Sequence, residues 1–309
     1  MARIRRGGGT PVVPPGPSPV DFHTHTRRSD GLLEPAELVA AAAAVGVRTL
    51  AITDHDNLAA PRELRASPGA VPAGLELVSG VEINTVDDGV PAWWRGELHL
   101  VGLGVDLDDD ALEATLVAQR AGRRDRYQRS LRRLRESGYP IDDLAERLPA
   151  DERAALGRPT VARLLVEKGY ATSVDDAFER LVGYGMPGYV PRHGIGPRAA
   201  IDLVRAAGGV AILAHTADAP DREAAIRELI GFGLGGIEVH YRRYDAETVA
   251  AVGELAARLR LVPSGGSDYH GDRETYAEAH AGIWVPESDA AALRRALEDP
   301  NAVDRRASR

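Results

Sequence analysis

Val20-Asp-Phe-His-Thr-His-Thr26 closes a short apolar run with two histidines spaced two residues apart. In an extended chain, side chains at i and i+2 point the same way, so His23 and His25 can bind one ion or two adjacent ones. Working outward from this point, the union of strand and histidine recurs. Apolar runs predict strands at Val20–Thr24, Val47–Thr53, Leu75–Ile83, Leu98–Val105, Gly209–Ala214, Gly235–His240 and Leu259–Ser264, with Ala281–Val285 as a weaker eighth. Helical patterns near Glu34–Val45, Pro197–Ala207, Asp221–Phe232, Ala246–Arg258 and Asp289–Glu298 fall between them. Such alternation predicts an α/β fold with parallel strands, in a doubly wound sheet or a barrel.

One segment breaks the alternation. From Asp108 to about Val182 the pattern is helical, and the arginine-rich face from Arg120 to Arg135 reads as solvated. Gly157-Arg-Pro-Thr160 opens a helix, with Thr160 in its first turn and Arg158 on the loop before it. The expected organisation is a flexible Gly- and Pro-rich tail over 1–19, a barrel over 20–107 and 190–300, and a helical insertion over 108–189.

Composition narrows the chemistry. The chain has 309 residues, 44% of them hydrophobic and 27% charged, which is ordinary globular material. It has no cysteine, so a disulfide scaffold, a thiolate zinc site and a cysteine nucleophile are excluded. The net charge of −8 offers no basic footprint for long nucleic acid. Lys168 is the single lysine, so anions must be recognised by guanidinium groups. No apolar run is long enough to span a membrane and the leader lacks an apolar core, so the expected location is the cytoplasm.

Seven of the nine histidines (His23, His25, His55, His99, His215, His240 and His270) fall at or near predicted strand ends. If such ends cover roughly a tenth of the chain, about one would land there by chance; in a parallel barrel they converge on the catalytic face. Carboxylates accompany them: Asp30 can fold back over the same mouth, Glu82 ends the third strand, and Asp268 sits two residues before His270. Oxygen and nitrogen donors without sulfur suit Mn, Fe or Zn. The nine candidates, His23, His25, Asp30, His55, Glu82, His99, His215, Asp268 and His270, are too many for one ion and fit two or three.

These segments resemble the motifs of the PHP (polymerase and histidinol phosphatase) family: His23-Thr-His25, Ser29-Asp-Gly31, Thr53-Asp-His-Asp56, Gly80-Val-Glu82, His99, Ala214-His215 and Ser267-Asp-Tyr-His270. The helical insert and Gly188-Tyr-Val-Pro-Arg192 resemble the nucleotide phosphoesterase branch, with departures at Thr160 and Thr216. The resemblance implies a distorted (β/α)7 barrel of the PHP fold, a trinuclear site built from the nine donors, and cleavage of a phosphomonoester by a metal-bridging hydroxide. The expected partner is a small phosphorylated substrate, a nucleotide, rather than long nucleic acid or a membrane. Arg158 and Arg192 are candidates to hold its phosphate. Glu238 and His240, on one strand face, are candidates to contact substrate or protonate the leaving group. Asp56 or Asp54 is a candidate to orient His55.

Four readings compete. A 5′–3′ exoribonuclease acting on short RNA ends, or a phosphatase for a modified nucleotide, would use the same site. An amidohydrolase with a carboxylated lysine is disfavoured because Lys168 lies in the helical insert. A non-catalytic metal-binding module would not be expected to keep every donor.

Overall fold

The computed structural model describes residues 16–89, 91, 98–145, 156–271 and 274–300. Along the chain run β1 (Val20–Asp21), α1 (Pro35–Ala44), β2 (Thr49–Ile52), α2 (Ala59–Ala66), β3 (Glu76–Asn84), β4 (His99–Leu103) and α3 (Asp110–Glu136). Then come α4 (Asp142–Ala145), α5 (Arg158–Glu167), α6 (Val174–Ala177), α7 (Pro197–Ala206), β5 (Val210–Leu213) and α8 (Glu223–Gly231). The chain closes with β6 (Gly236–Tyr241), α9 (Ala246–Leu259), β7 (Val262–Gly266), α10 (Tyr276–His280) and α11 (Glu287–Glu298). It divides into two compact units, one of residues 117–194 and one holding the other described residues.

The larger unit is a seven-stranded barrel with strands in chain order. β1 and β7 meet through Phe22 N donating to Gly265 O (3.1 Å), Asp268 N to His23 O (2.8 Å) and His25 N to Tyr269 O (3.0 Å). All neighbours are parallel except β4, which is antiparallel to both β3 and β5. This corrects the all-parallel expectation, and it explains His99: on a reversed strand the first residue lies at the end where its neighbours finish. The eighth run, Ala281–Val285, is not a strand. Val285 packs into the barrel interior and its N–H donates to Ser18 Oγ at 3.4 Å.

Strand alternation sorts the side chains. Leu100, Leu213, Ile237 and Val239 pack outward with α7, α8 and α9. Val101, Leu103, Ile212 and Ala214 face inward and pack with Ala290, Leu293 and Ala296 of α11. On the same inward rows, Val101 is followed two residues away by His99, so the interior changes from apolar to imidazole along its length. Local signals set the helix ends. Pro35 occupies the first turn of α1, with Glu37 accepting the Glu34 N–H, and Asp245 accepts the Thr248 N–H at the start of α9. α2, which follows Asn57-Leu58, was not anticipated from the sequence.

Of the expected tail, Met1–Pro15 lie outside the described residues. Ser18 is fully buried, and the Pro19 carbonyl accepts from Arg48 N and Thr49 N.

The smaller unit is helical around its own core, which includes Leu134, Leu165 and Leu181. Its arginines are not simply solvated. Arg126 is 8% exposed and donates to Val190 O, Arg133 donates to Pro187 O, and Ser130 donates to Gly188 O, bracing the 187–190 segment. Arg158 is the first helical residue of α5 rather than a loop residue, and Lys168 ends that helix paired with Asp143. Among the described residues no helix is long and apolar enough to cross a membrane.

Candidate metal centre

The donors reach one mouth of the barrel by different routes. Thr24 Oγ1 donates to Ala51 O, and Thr24 N is bonded to Thr53 Oγ1. With Thr24 held by β2, its neighbours His23 and His25 share the opposite side. Asp30 is carried by a turn closed by Ser29 N and Gly31 N on Thr26 O. Gly31 is required there, because a Cβ would lie 2.5 Å from His25 O. Asp54 anchors this turn, accepting from Thr26 N (2.7 Å), Thr26 Oγ1 (2.6 Å) and Ser29 Oγ (2.6 Å). Of the four non-glycine residues at positive φ among the described residues, Asp56, His215 and Asp268 stand at this mouth. Backbone strain of that kind persists where the surroundings over-determine it, typically at functional sites.

All nine predicted donors come together in three groups: His25, Asp30, His55 and His270; His23, His25, Glu82 and Asp268; and Glu82, His99 and His215. Within each group the donor atoms lie within 4.8 Å of one another. In the second group, His25 Nε2 is 3.2 Å from both Glu82 Oε2 and Asp268 Oδ1, and His23 Nε2 is 3.4 and 3.5 Å from the same oxygens. Metal–ligand bonds of 2.0–2.2 Å give tetrahedral edges of about 3.3–3.6 Å. The donors of this group are therefore spaced much as corners of a coordination shell.

Their hydrogen bonding supports the same fit. His23 Nε2, both ring nitrogens of His25, His55 Nδ1 and Glu82 Oε2 are buried without a hydrogen-bond partner. His55 Nδ1 lies 2.9 Å from Glu82 Oε2, yet the two are not aligned to bond. Buried polar atoms left this way cost about 1–3 kcal/mol each, and cations at the points where they converge would satisfy them.

The opposite ring edges are held. His23 Nδ1 is 3.1 Å from Glu238 Oε1, His270 Nδ1 donates to Asp268 O at 3.0 Å, and His99 Nε2 lies 2.6 Å from the Asn84 amide. Burial pushes His55 down to about 4, so it is neutral and able to donate a lone pair. Burial also opposes the charge on His270, but Asp30 and Asp268 hold it up at about 10, so ligation there releases a proton. Burial would raise Glu82; the imidazoles of His55, His99 and His23 keep it well below the usual carboxylate range.

Other expected site residues lie differently. His240 does not share a face with Glu238: a register shift separates them, with Glu238 opposite Ser264 and His240 opposite Gly265. His240 Nε2 instead pairs with Asp289 of α11 at 2.7 Å. Glu238 does face inward, but onto His23 and the His215 N–H (2.7 Å), two of the donor residues themselves. Asp56 accepts from Asn84 N at 3.3 Å. Arg158 and Arg192 belong to the helical unit, where the Arg158 guanidinium lies 5.8 Å from the Phe178 ring centre. Thr160 is buried in α5, and Thr216 Oγ1 donates to Ala214 O. Tyr241, whose OH donates to Asp268 Oδ2 at 3.0 Å, was missed; only the bulge turns it inward, and a bulge has no sequence signature here.

A β/α barrel whose mouth collects imidazoles and carboxylates at coordination spacing is the framework of a metal-dependent hydrolase. The PHP domain matches residues 21–155. The 5′–3′ exoribonuclease Rnm of Escherichia coli is 33% identical over 271 residues, covering 86% of this chain and 89% of that one. The 3′,5′-nucleoside bisphosphate phosphatase of Chromobacterium violaceum is 32% identical over 260 residues, covering 82% and 88%. A solved structure from Bifidobacterium adolescentis, assigned as a metal-dependent phosphoesterase, superposes with a TM-score of 0.75 at 30% identity, covering 91% and 96%. The chain belongs to the PHP family, and it is a phosphoesterase.

Proposed function

We propose that the chain hydrolyses the phosphomonoester of a small phosphorylated substrate, a nucleotide, at a centre of two or three Mn, Fe or Zn ions held by the nine donors. The observation that carries this reading is the sharing of donors: Glu82 and His25 each belong to two groups, so neighbouring ions would sit side by side. Such ions, when bound, supply hydroxide at neutral pH and neutralise charge on the phosphoryl oxygens. The chain's own residues then set the geometry. Glu82 spans two groups, and Asp30 and His270 are fixed over the mouth by the Thr26–Gly31 turn and the Asp268 carbonyl. Arg158 and Arg192 stay candidates for the phosphate, tested by whether Arg→Gln changes raise KM.

A second reading, stepwise 5′–3′ cleavage of short RNA ends, is favoured by the likeness to Rnm over the same span. One screen separates them. The metal-loaded chain is offered nucleosides phosphorylated at 5′, 3′ or both positions, and a 5′-phosphorylated oligoribonucleotide. Inorganic phosphate released from the nucleosides supports the first reading, and nucleoside monophosphates released from the oligomer support the second. Release of neither, with metals bound, overturns both.

A further inference from the structure

β6 is the one barrel strand that supplies none of the nine donors. Each of the other six either contains a donor or is followed by one within three or four residues: His23 and His25 after β1, His55 after β2, Glu82 in β3, His99 in β4, His215 after β5, Asp268 and His270 after β7. What β6 presents inward instead is Glu238, 2% exposed, and Tyr241, 7% exposed. Both Glu238 oxygens are committed to donor residues, Oε1 to the His23 ring at 3.1 Å and Oε2 to the His215 backbone N–H at 2.7 Å. His23 and His215 belong to different donor groups, and their rings lie 5.7 Å apart. His215 also stands at φ +29°, a conformation that needs external support. Tyr241 holds the one Asp268 oxygen that does not face His23 and His25.

We propose that Glu238 is a positioning residue of the metal centre. Its carboxylate keeps the proton of His23 on Nδ1, leaving the Nε2 lone pair free toward Glu82 and Asp268. At the same time it locks the backbone that carries His215. The β6 bulge is what allows one strand to do this and still bring Tyr241 to Asp268, because it restores the inward phase lost at His240. Outer partners of metal-bound histidines act by fixing ring orientation and tautomer, and their loss typically weakens metal binding 10–100-fold. This inference rests on the donors binding metal, and not on which phosphoester is cleaved.

The test is metal titration. The wild-type chain, Glu238→Gln, Glu238→Asp and Tyr241→Phe are stripped with chelator and titrated calorimetrically with Zn²⁺ and with Mn²⁺. Phosphate release from a nucleoside 3′,5′-bisphosphate is then followed at saturating metal. Glu238→Gln is expected to weaken at least one ion by 10–100-fold, with KM at saturating metal within about twofold of wild type, and Glu238→Asp is expected to recover part of the loss. Unchanged metal affinity together with a raised KM overturns the proposal and returns Glu238 to substrate contact. If the Gln variant does not fold, nitrogen-15 spectra of His23 in the wild-type chain decide instead. A proton on Nδ1 in the zinc-loaded chain upholds the proposal, and one on Nε2 overturns it. Should the wild-type chain bind neither ion, the metal centre itself fails, a result distinct from a wild type that binds and a variant that binds equally well.

Discussion

Glu82 divides its two oxygens between neighbours. Oε1 lies 2.7 Å from His99 Nδ1 and 3.1 Å from His215 Nε2, while Oε2 faces His23, His25 and His55. His99, by contrast, serves a single group. Removing charge from Glu82 should therefore cost more metal than removing the His99 ring. After dialysis against trace zinc, Glu82→Gln is expected to retain fewer ions per chain than His99→Ala. Its kcat/KM should fall by at least about a hundredfold, beyond what loss of an outer partner causes. Elemental analysis checks this, and equal losses in the two variants would mean that Glu82 does not bridge. At this scale the sequence was highly legible. Candidate metal donors are picked out by residue type and by position at strand ends, and all nine fall into the three groups. Of the supporting residues, Glu238 was legible only as a candidate for substrate contact, and Asn84 and Tyr241 were not, because they carry no type or spacing that separates them from ordinary strand residues.

Among the elements, the seam between β1 and β7 is tightly specified. A Cβ on Gly266 would lie 2.3 Å from His23 Cβ, 2.6 Å from His23 N and 2.8 Å from His23 Cα. Most of these are backbone atoms that cannot swing aside, so Gly266→Ala must part the strands at the donor pair. Overpacking of this kind costs about 1–3 kcal/mol, and the upper end is expected. Gly253, inside α9, is the control: its nearest contact is Val239 Cγ1 at 3.5 Å, so Gly253→Ala should stabilise by about 0.5–1 kcal/mol. Urea midpoints moving in opposite directions bear this out, and a neutral Gly266→Ala would show that the seam can open at little cost. The Gly265-Gly266 pair is the end of β7, where Gly266 admits the His23 backbone. Strand positions were readable because apolar runs announce them. The reversal of β4 and the bulge in β6 were not, since both are decided by which neighbour a strand pairs with, and pairing is a tertiary choice.

Across the whole chain, charge is unevenly shared. Residues 117–194 carry 15 basic and 11 acidic side chains, whereas the remainder carries 23 and 35. The barrel residues as a set are therefore strongly acidic, and bound ions would add cationic attraction at their mouth. An ion cluster of that size grips one or two phosphate groups, while a long anionic backbone would meet repulsion from the acidic surroundings. Salt separates the two cases. A chain that neutralises many phosphates loses affinity steeply as salt rises, on the order of a hundredfold or more between about 50 and 200 mM for six contacts. For a nucleoside bisphosphate, whose contacts are few, kcat/KM is expected to change by less than about tenfold over that range. Turnover of a 20-mer RNA should be slow at both salt concentrations, since screening weakens the repulsion without creating a site. Brisk cleavage of the 20-mer at low salt that collapses at high salt would instead reveal an extended phosphate-binding track, and would shift the balance to the exoribonuclease reading.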